Sequence, residues 1–546
     1  MKKYISSFAS LLAALLFLGG CTGTTVPSKT SESAGEVTVM EETQTTSTVL
    51  GAEMLAASEI DALTEGKTRL SSGDERAELY YNGVELAHLN NRRLFYVSVP
   101  ELEKGWADGT LTAGEGYRVI ADAEFVPEDP TKMIEKGNSL MLYLVSDENY
   151  AVIELIMTYL PVITLTIDGG GDLSSNLQGC RFTLHNTAST NKNMYYAESR
   201  AEVKLRGGSS SSLIKKSIRL DLKDEYGENR DMSFFGMRSD DDWILTAMFS
   251  DESKVRDMTA WQLWREMNSY YPDVKGSCAP ETQYVEVILN GKYQGLYIFM
   301  EKFDAKTMEL EDGDVLFKAT SWEVPTSEAL KSQHVRSTVC AAMEKKWPDV
   351  RTKIEGTWDV IAEYIRVAYE TDGPGFEEGI ADVAAIENQL DYWIFNNVTM
   401  AGDNTFKNAY YAVKDGLVYT LPWDLDISFG LSWNGDPATN YLYRETGSIT
   451  RTFDFQVGRR LIKYYPGAAD YIKKRWAKLK EAGIVSAEGI IENAEAYWDL
   501  IHSSGAIARE RERWPSVSYA DDDLTYFKNV VKARIDWLDD YIEELE

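Results

Sequence analysis

Four oxygen-bearing side chains lie in two short stretches: Asp403 and Asn408 in "DNTFKN", and Asp424 and Asp426 in "LPWDLDISFG". Between them runs "AYYAVKDGLVYT", an apolar stretch broken by Lys414-Asp415-Gly416, which predicts a hairpin. A hairpin brings its ends together, so all four side chains can face one cleft. Carboxylate and amide oxygens suit a hard cation such as magnesium or manganese, and magnesium leaves positions for substrate phosphates. Phosphoryl-transfer sites can use an Asp and an Asn five positions apart, with a further Asp beyond a hairpin. In that arrangement Asp403 faces an acceptor hydroxyl, Asn408 binds metal, and Asp426 (or Asp424) is the principal metal ligand. Taken alone, the Asp-to-Asn spacing is weak and also fits a helix cap followed by a turn. Two acids flanking a buried Leu, after an apolar strand and before a Gly, fit a solvated turn less well.

A phosphate site also needs a Gly-rich turn and a cation on the strand that follows. "LRGGSSSSLIKKSIRLDL" offers Gly207, Gly208 and a Ser run, then Lys215, Lys216 and Arg219. Without G-x-G-x-x-G it reads first as a flexible surface loop with solvated cations. An acid near the next helix can orient a strand cation, and Asp251, Glu252 and Asp257 are all candidates.

These stretches must be positioned by the rest of the 546 residues, enough for two to four domains. The formal charge of −31 argues against a groove that tracks nucleic acid, so no nucleic-acid partner is expected. The four His lack helical ligand spacing, which argues against a His-rich zinc site. Lys2, Lys3, "LLAALLFLGG" and Leu18-Gly19-Gly20-Cys21 read as a lipoprotein signal over residues 1–21, with Cys21 as the lipidation site. The chain is therefore expected to be exported and lipid-anchored to the outer face of a bacterial cytoplasmic membrane. Cys180, Cys278 and Cys340 form no CxxC and support neither a zinc clip nor a disulfide framework.

Residues 22–76, rich in Thr, Ser and Glu, read as a disordered tether. Residues 77–158 read as a small β-sandwich-like module, with Asn82-Gly83 as a hairpin turn. Residues 160 to about 315 predict strands, the helix "ESKVRDMTAWQLWREMN" and a hairpin through Asn290-Gly291; residues 316–546 are mostly helical apart from the hairpin between the acids. Trp243, Trp261, Trp264, Trp393, Trp423 and Trp433 lie in apolar patterns and are expected in the core.

Six ordered motifs then resemble one family: "LRGGSSS", "KKSIRLDL", "FFGM…DDWILTAMFSDESKVRD", "APETQYVEVILNGKYQGLYIFMEK", "AGDNTFKNAYY" and "LPWDLDISFG". Over roughly residues 160–440 the chain resembles the CotH family of spore-coat-protein-H-like kinases. The resemblance implies an α+β, atypical protein-kinase-like bilobal domain, here preceded by the all-β module. Its small lobe would span about 159–302 and its large helical lobe about 303–546. It implies transfer of the ATP γ-phosphate, with Mg²⁺ or Mn²⁺, to Ser or Thr of secreted or surface proteins. On this chain it implies a catalytic Asp403 and metal ligands Asn408, Asp424 and Asp426. It places Lys215, Lys216 and Arg219 on the phosphate side, with Arg206, Gly207, Gly208 and Ser209 in the loop over the nucleotide. Met300, Glu301 and Lys302 would lie near the adenine. The lipoprotein signal, tether and β module are additions to the family pattern and make a spore-coat role doubtful. An inactive surface scaffold or adhesion protein on a kinase-like fold, and an ATP-dependent AMP transferase, are the alternatives.

Overall fold

Seven strands between Val162 and Glu301 close into a barrel because their inward faces are uniformly apolar. Phe182, Val203, Leu220, Trp243, Val285 and Phe299 are all fully buried in one cluster. The barrel closes by parallel pairing of Val162–Ile167 with Thr282–Leu289. The other pairings are antiparallel, including the hairpin Thr282–Leu289 to Lys292–Glu301. Its turn takes Asn290 and Gly291 through positive φ, as an Asn-Gly hairpin requires. Helix Arg256–Ser269 lies between two barrel strands in sequence and packs Trp261, Trp264 and Met267 into the largest core.

These are features of a computed structural model, which describes residues 48–208, 213–269, 278–331, 339–348, 356–436, 440–522 and 524–546. The signal segment with Cys21, the tether up to residue 47, and Ser209 lie outside the described residues.

After the barrel comes a five-stranded sheet in the order Val339–Cys340, Met343–Trp347, Val315–Ala319, Ala409–Lys414, Leu417–Pro422. Helix Ile386–Thr399 packs on its strand Leu417–Pro422, Ala487–Ser503 packs on Arg256–Ser269, Ala506–Arg513 on the barrel strand Lys292–Glu301, and Thr525–Glu543 on Ile386–Thr399. The region expected to be mostly helical thus carries more strand than its one legible hairpin. The described chain is a mixture of sheets and helices, and none of its helices is long and apolar enough to cross a membrane.

The tether expected over 22–76 does not reach residue 76. Strands Thr48–Val49 and Ala52–Leu55 and helix Ala57–Thr64 are formed, and they bury Val49, Leu50, Ala52 and Ile60. These strands join a sheet of eight with strands from residues 68–158, and a short helix, Thr131–Glu135, breaks the all-β pattern expected of 77–158.

This sheet is seated on the barrel. Thr187 Oγ1 donates to Ser98 O at 2.5 Å, Asn90 Nδ2 donates to Asn290 O at 2.7 Å, and Tyr96 stacks on Tyr293 at 5.7 Å. His185, 6 % exposed, lies 3.0 Å from Glu85 O through Nδ1. Burial holds its imidazole down at about 4. The unfolded chain therefore binds the proton first, and folding loses stability as pH falls from about 6.5 to 4. The full window corresponds to roughly 3 kcal/mol. We expect His185→Gln to flatten the stability-versus-pH curve over that window, measured by urea unfolding at several pH values; an unchanged slope would refute this.

Candidate active site

The hairpin Ala409–Lys414 to Leu417–Pro422 turns through Asp415-Gly416, both at positive φ. At its open end Ala409 pairs with Pro422, and the Trp423 N–H donates to Asn408 O at 2.9 Å. The two acidic stretches are thereby adjacent. Asn404, fully buried, binds them together: its Nδ2 donates to Asn408 O at 2.9 Å and to Trp423 O at 2.7 Å. Its carbonyl accepts from Tyr392 Oη at 2.7 Å and Asn396 Nδ2 at 3.1 Å, tying the loop to helix Ile386–Thr399. Asn408 and Asp424 both sit at positive φ, which Asn and Asp tolerate better than most residues.

One cavity of about 480 Å³ is lined by Asp403, Asn408, Asp424 and Asp426 together with Arg206, Gly207, Gly208 and Met300. The sequence-predicted acids and amide thus converge with the Gly-Gly turn. Burial raises the Asp403 carboxyl above the usual range, and Lys407 opposes the shift. Burial, with Asp424 and Asp257 nearby, pushes Asp426 well above the usual range. Asp257, also lining the cavity, is raised to about 7, mainly by burial and then by Asp424. Burial is the larger cause of these shifts and the neighbouring carboxylates add to it; a cation bound among them would oppose both. The donors are all oxygens, so the residues fit magnesium or manganese better than zinc.

The predicted cations are arranged otherwise. Lys215 is fully buried away from the cavity, with Nζ 2.6 Å from Glu510 Oε1 and also donating to Leu296 O. Arg219 pairs with Asp221 at 2.6 Å and Asp242 at 3.0 Å, and Lys302 pairs with Asp242. Glu301 accepts backbone N–H bonds from Arg238 and Glu281, each at 3.0 Å. Lys216 does not line the cavity. Lys215 and Lys216 precede the strand Ile218–Lys223, and Arg219 within it is taken up by ion pairs with Asp221 and Asp242. Of the three expected at the adenine, only Met300 reaches the cavity.

The cations that do line it are Arg206, Lys318 and Lys407. Arg206 lies over the Trp423 ring at 5.2 Å, and Lys318 lies between Tyr410 and Trp423 at 5.5 and 5.3 Å. Burial lowers Lys318 to about 8, against the pull of Asp424. Lys318 stands in the apolar strand Val315–Ala319, where nothing in the sequence distinguishes it.

The three acids left open near the helix also separate. Asp251 accepts from Arg256 N at 2.8 Å and Nη1 at 2.6 Å, while Arg256 Nε donates to Ser428 O at 3.1 Å. The helix start and the loop that carries Asp424 and Asp426 are thus locked together. Glu252 pairs with Arg444 at 2.7 Å, and only Asp257 faces the cavity. None orients a barrel cation. At the mouth stand Trp322 and Trp433, 48 % and 39 % exposed, with rings 6.3 Å apart and nearly parallel. Trp433 was expected in the core; the other five Trp named with it are buried. Asp231, Asp240 and Asp241 cluster elsewhere, where Lys306 pairs with all three and Arg238 with Asp240.

A family model, CotH kinase protein, matches residues 203–538, more than half of the chain. The chain belongs to the CotH kinase family. The match covers every cavity residue named above. No curated protein matches it. Among solved structures, the Shewanella oneidensis MR-1 toxin–antitoxin complex of HipA, HipB and operator DNA is similar at 13 % identity. That likeness covers 60 % of this chain and 65 % of that chain, with a TM-score of 0.25, too low to carry an argument.

Proposed function

We propose that this CotH kinase is an extracytoplasmic, atypical protein kinase that moves the ATP γ-phosphate onto Ser or Thr hydroxyls of secreted or surface proteins. The observation that carries this reading is the convergence of Asp403, Asn408, Asp424 and Asp426 with Arg206 and Lys318 around one cavity. In a bilobal, kinase-like arrangement, ATP would enter between the barrel and the helical part. Asp426 and Asn408, with Asp424 beside them, would hold Mg²⁺ or Mn²⁺. A divalent cation held there would supply positive charge to the nucleotide phosphates. Asp403 orients the acceptor hydroxyl and takes its proton late, because the transition state is loose and positioning dominates. Arg206 and Lys318 replace Lys215, Lys216 and Arg219 as the phosphate-side cations. The signal and lipid anchor at Cys21 would set the reaction at the outer face of the membrane.

Lys318 gives a quantitative check. Removing one phosphate contact in Lys318→Met should raise KM for ATP about ten-fold, roughly 1.4 kcal/mol. Lys318 carries its charge below about 8, so wild-type ATP affinity should fall as pH rises through that value. The variant should lack this pH dependence; equal profiles would remove Lys318 from the phosphate site.

The function itself is tested by incubating the exported portion, with Cys21 replaced by Ser, with ATP, Mg²⁺ or Mn²⁺ and a mixture of secreted proteins. Intact and peptide masses are then read. A metal-dependent gain of about 80 Da on Ser or Thr supports the kinase, whereas about 329 Da would make it an AMP transferase on the same site. Absence of both, together with no nucleotide binding, would leave an inactive scaffold.

A further inference from the structure

Of the eight large apolar side chains that stand exposed among the described residues, only Trp322 and Trp433 line the cavity, and their rings stack on each other. Single exposed apolar residues are ordinary on a protein surface; two stacked indoles at the mouth of a site are not. Neither belongs to the barrel. Trp322 follows strand Val315–Ala319, which carries Lys318, and Trp433 lies in strand Leu431–Asp436, just beyond the loop of Asp424 and Asp426. The barrel lines the same cavity with Thr246 and Met300, neighbours whose Oγ1 and sulfur lie 3.4 Å apart. The indoles are tied instead to the loop of Asp403. Lys407, four residues beyond Asp403, places its Nζ 3.6 Å from the centre of the Trp322 ring, a cation–π contact.

In the reading above, the nucleotide and its metal occupy the cavity, with Arg206 and Lys318 on the phosphates. The acceptor then reaches Asp403 from the mouth. A chain that brings a hydroxyl there carries its neighbours past the indoles, since three extended residues span about 10 Å. Parallel rings offer faces and edges to a third ring, which gains from offset or edge-to-face contact beyond its burial. Lys407 already supplies the cation over Trp322, so a basic side chain is repelled there. An aliphatic one gains burial but no ring contact. We propose that Trp322 and Trp433 select the acceptor by binding an aromatic side chain within three residues of the phosphorylated Ser or Thr. Lys407 is the positioning residue that keeps this platform beside Asp403. This inference rests on the reading of the cavity as a protein-kinase site.

The test uses the exported chain, ATP, Mn²⁺ and synthetic peptides with one Ser, in which each of the three positions on either side is in turn Ala, Leu, Arg, Glu or Phe. Phe at one or more positions should raise kcat/KM about ten-fold over Ala, and above Leu, Arg and Glu. Sites modified in a mixture of secreted proteins should show the same bias. Trp322→Ala and Trp433→Ala should each bring the Phe-to-Ala ratio most of the way back to one, whereas Trp322→Phe should keep most of it. Calorimetric ATP affinity should be retained in all three variants, which a folding defect would not allow. No preference for Phe, a larger one for Arg or Glu, or a Phe preference that survives both Ala substitutions would overturn the proposal. So would weaker ATP binding with the peptide preference intact, which would put the indoles on the nucleotide. Phosphorylation of an oligosaccharide ahead of every peptide would make the pair a sugar platform and also overturn it. ATP binding with no phosphate on any peptide, sugar or secreted protein would overturn the kinase reading itself, and this inference with it.

Discussion

Asp403→Asn is expected to lower phosphoryl transfer by about 10²- to 10⁴-fold while leaving ATP affinity unchanged. The substitution keeps size and one hydrogen-bonding oxygen but cannot take a proton. Asp403 stands at the start of the loop that Asn404 fixes, so the loop should survive the change. Asn404 Nδ2 holds Asn408 and Trp423, and its carbonyl is held from helix Ile386–Thr399. A fall in rate with unchanged KM for ATP places Asp403 on the acceptor side, where only the transition state feels it. A comparable fall in ATP affinity would instead make it part of the nucleotide or metal site. Steady-state kinetics on one phosphorylated acceptor separates the two.

The second large effect concerns folding. Glu510→Gln should destabilise the protein by about 3–5 kcal/mol, because it leaves the buried Lys215 without its counter-charge. Glu510 does more than pair with Lys215 at 2.6 Å. Its other oxygen accepts the Leu296 N–H at 2.8 Å, in the barrel strand that carries Gly295 at positive φ. A Cβ on Gly295 would lie 1.8 Å from that oxygen, so only glycine admits the carboxylate this close. The residue just before it in the same helix, Arg509, pairs with Glu286 at 2.7 Å. The helix Ala506–Arg513 is thus fastened to the barrel by two buried ion pairs. Lys215→Met combined with Glu510→Leu should recover most of the loss, since replacing both buried partners is far less costly than orphaning one. Urea unfolding of the single and double variants measures this. If Lys215→Met left stability unchanged but abolished nucleotide binding, Lys215 would have to be returned to the phosphate site.

The contrast between Asp403 and Lys215 shows what was legible in the sequence. The acids could be placed together because a two-residue turn with glycine sets the hairpin register, and register fixes which residues end up side by side. Asn290-Gly291 and Asn82-Gly83 worked the same way, with Val84 paired to Tyr81. The apolar spacing of Val255, Met258, Trp261 and Trp264 likewise gave away the helix that carries Asp257. Lys215 could not be placed because its partner lies 295 residues further along the chain. A lysine pointing at solvent phosphates and one pointing into a barrel–helix joint look alike in a sequence. Lys318 was hidden for the opposite reason. It sits among Val315, Leu316 and Phe317, and only the sheet on which Tyr410 and Trp423 pack brings it to the cavity. The strands from residue 48 onward do carry a sequence signal: Val49, Leu50, Ala52 and Ile60 interrupt the polar composition with residues able to bury.

The central claim is that the cavity binds a nucleotide through metal held by the hairpin acids. Calorimetric titration with ATP tests it most directly, for wild type and Asp426→Asn, in Mg²⁺, in Mn²⁺ and in chelator. Binding is expected to wild type only when metal is present, and should be lost in Asp426→Asn with the fold intact. ATP binding that ignores both metal and Asp426, or no binding to wild type at millimolar ATP with metal, would contradict it.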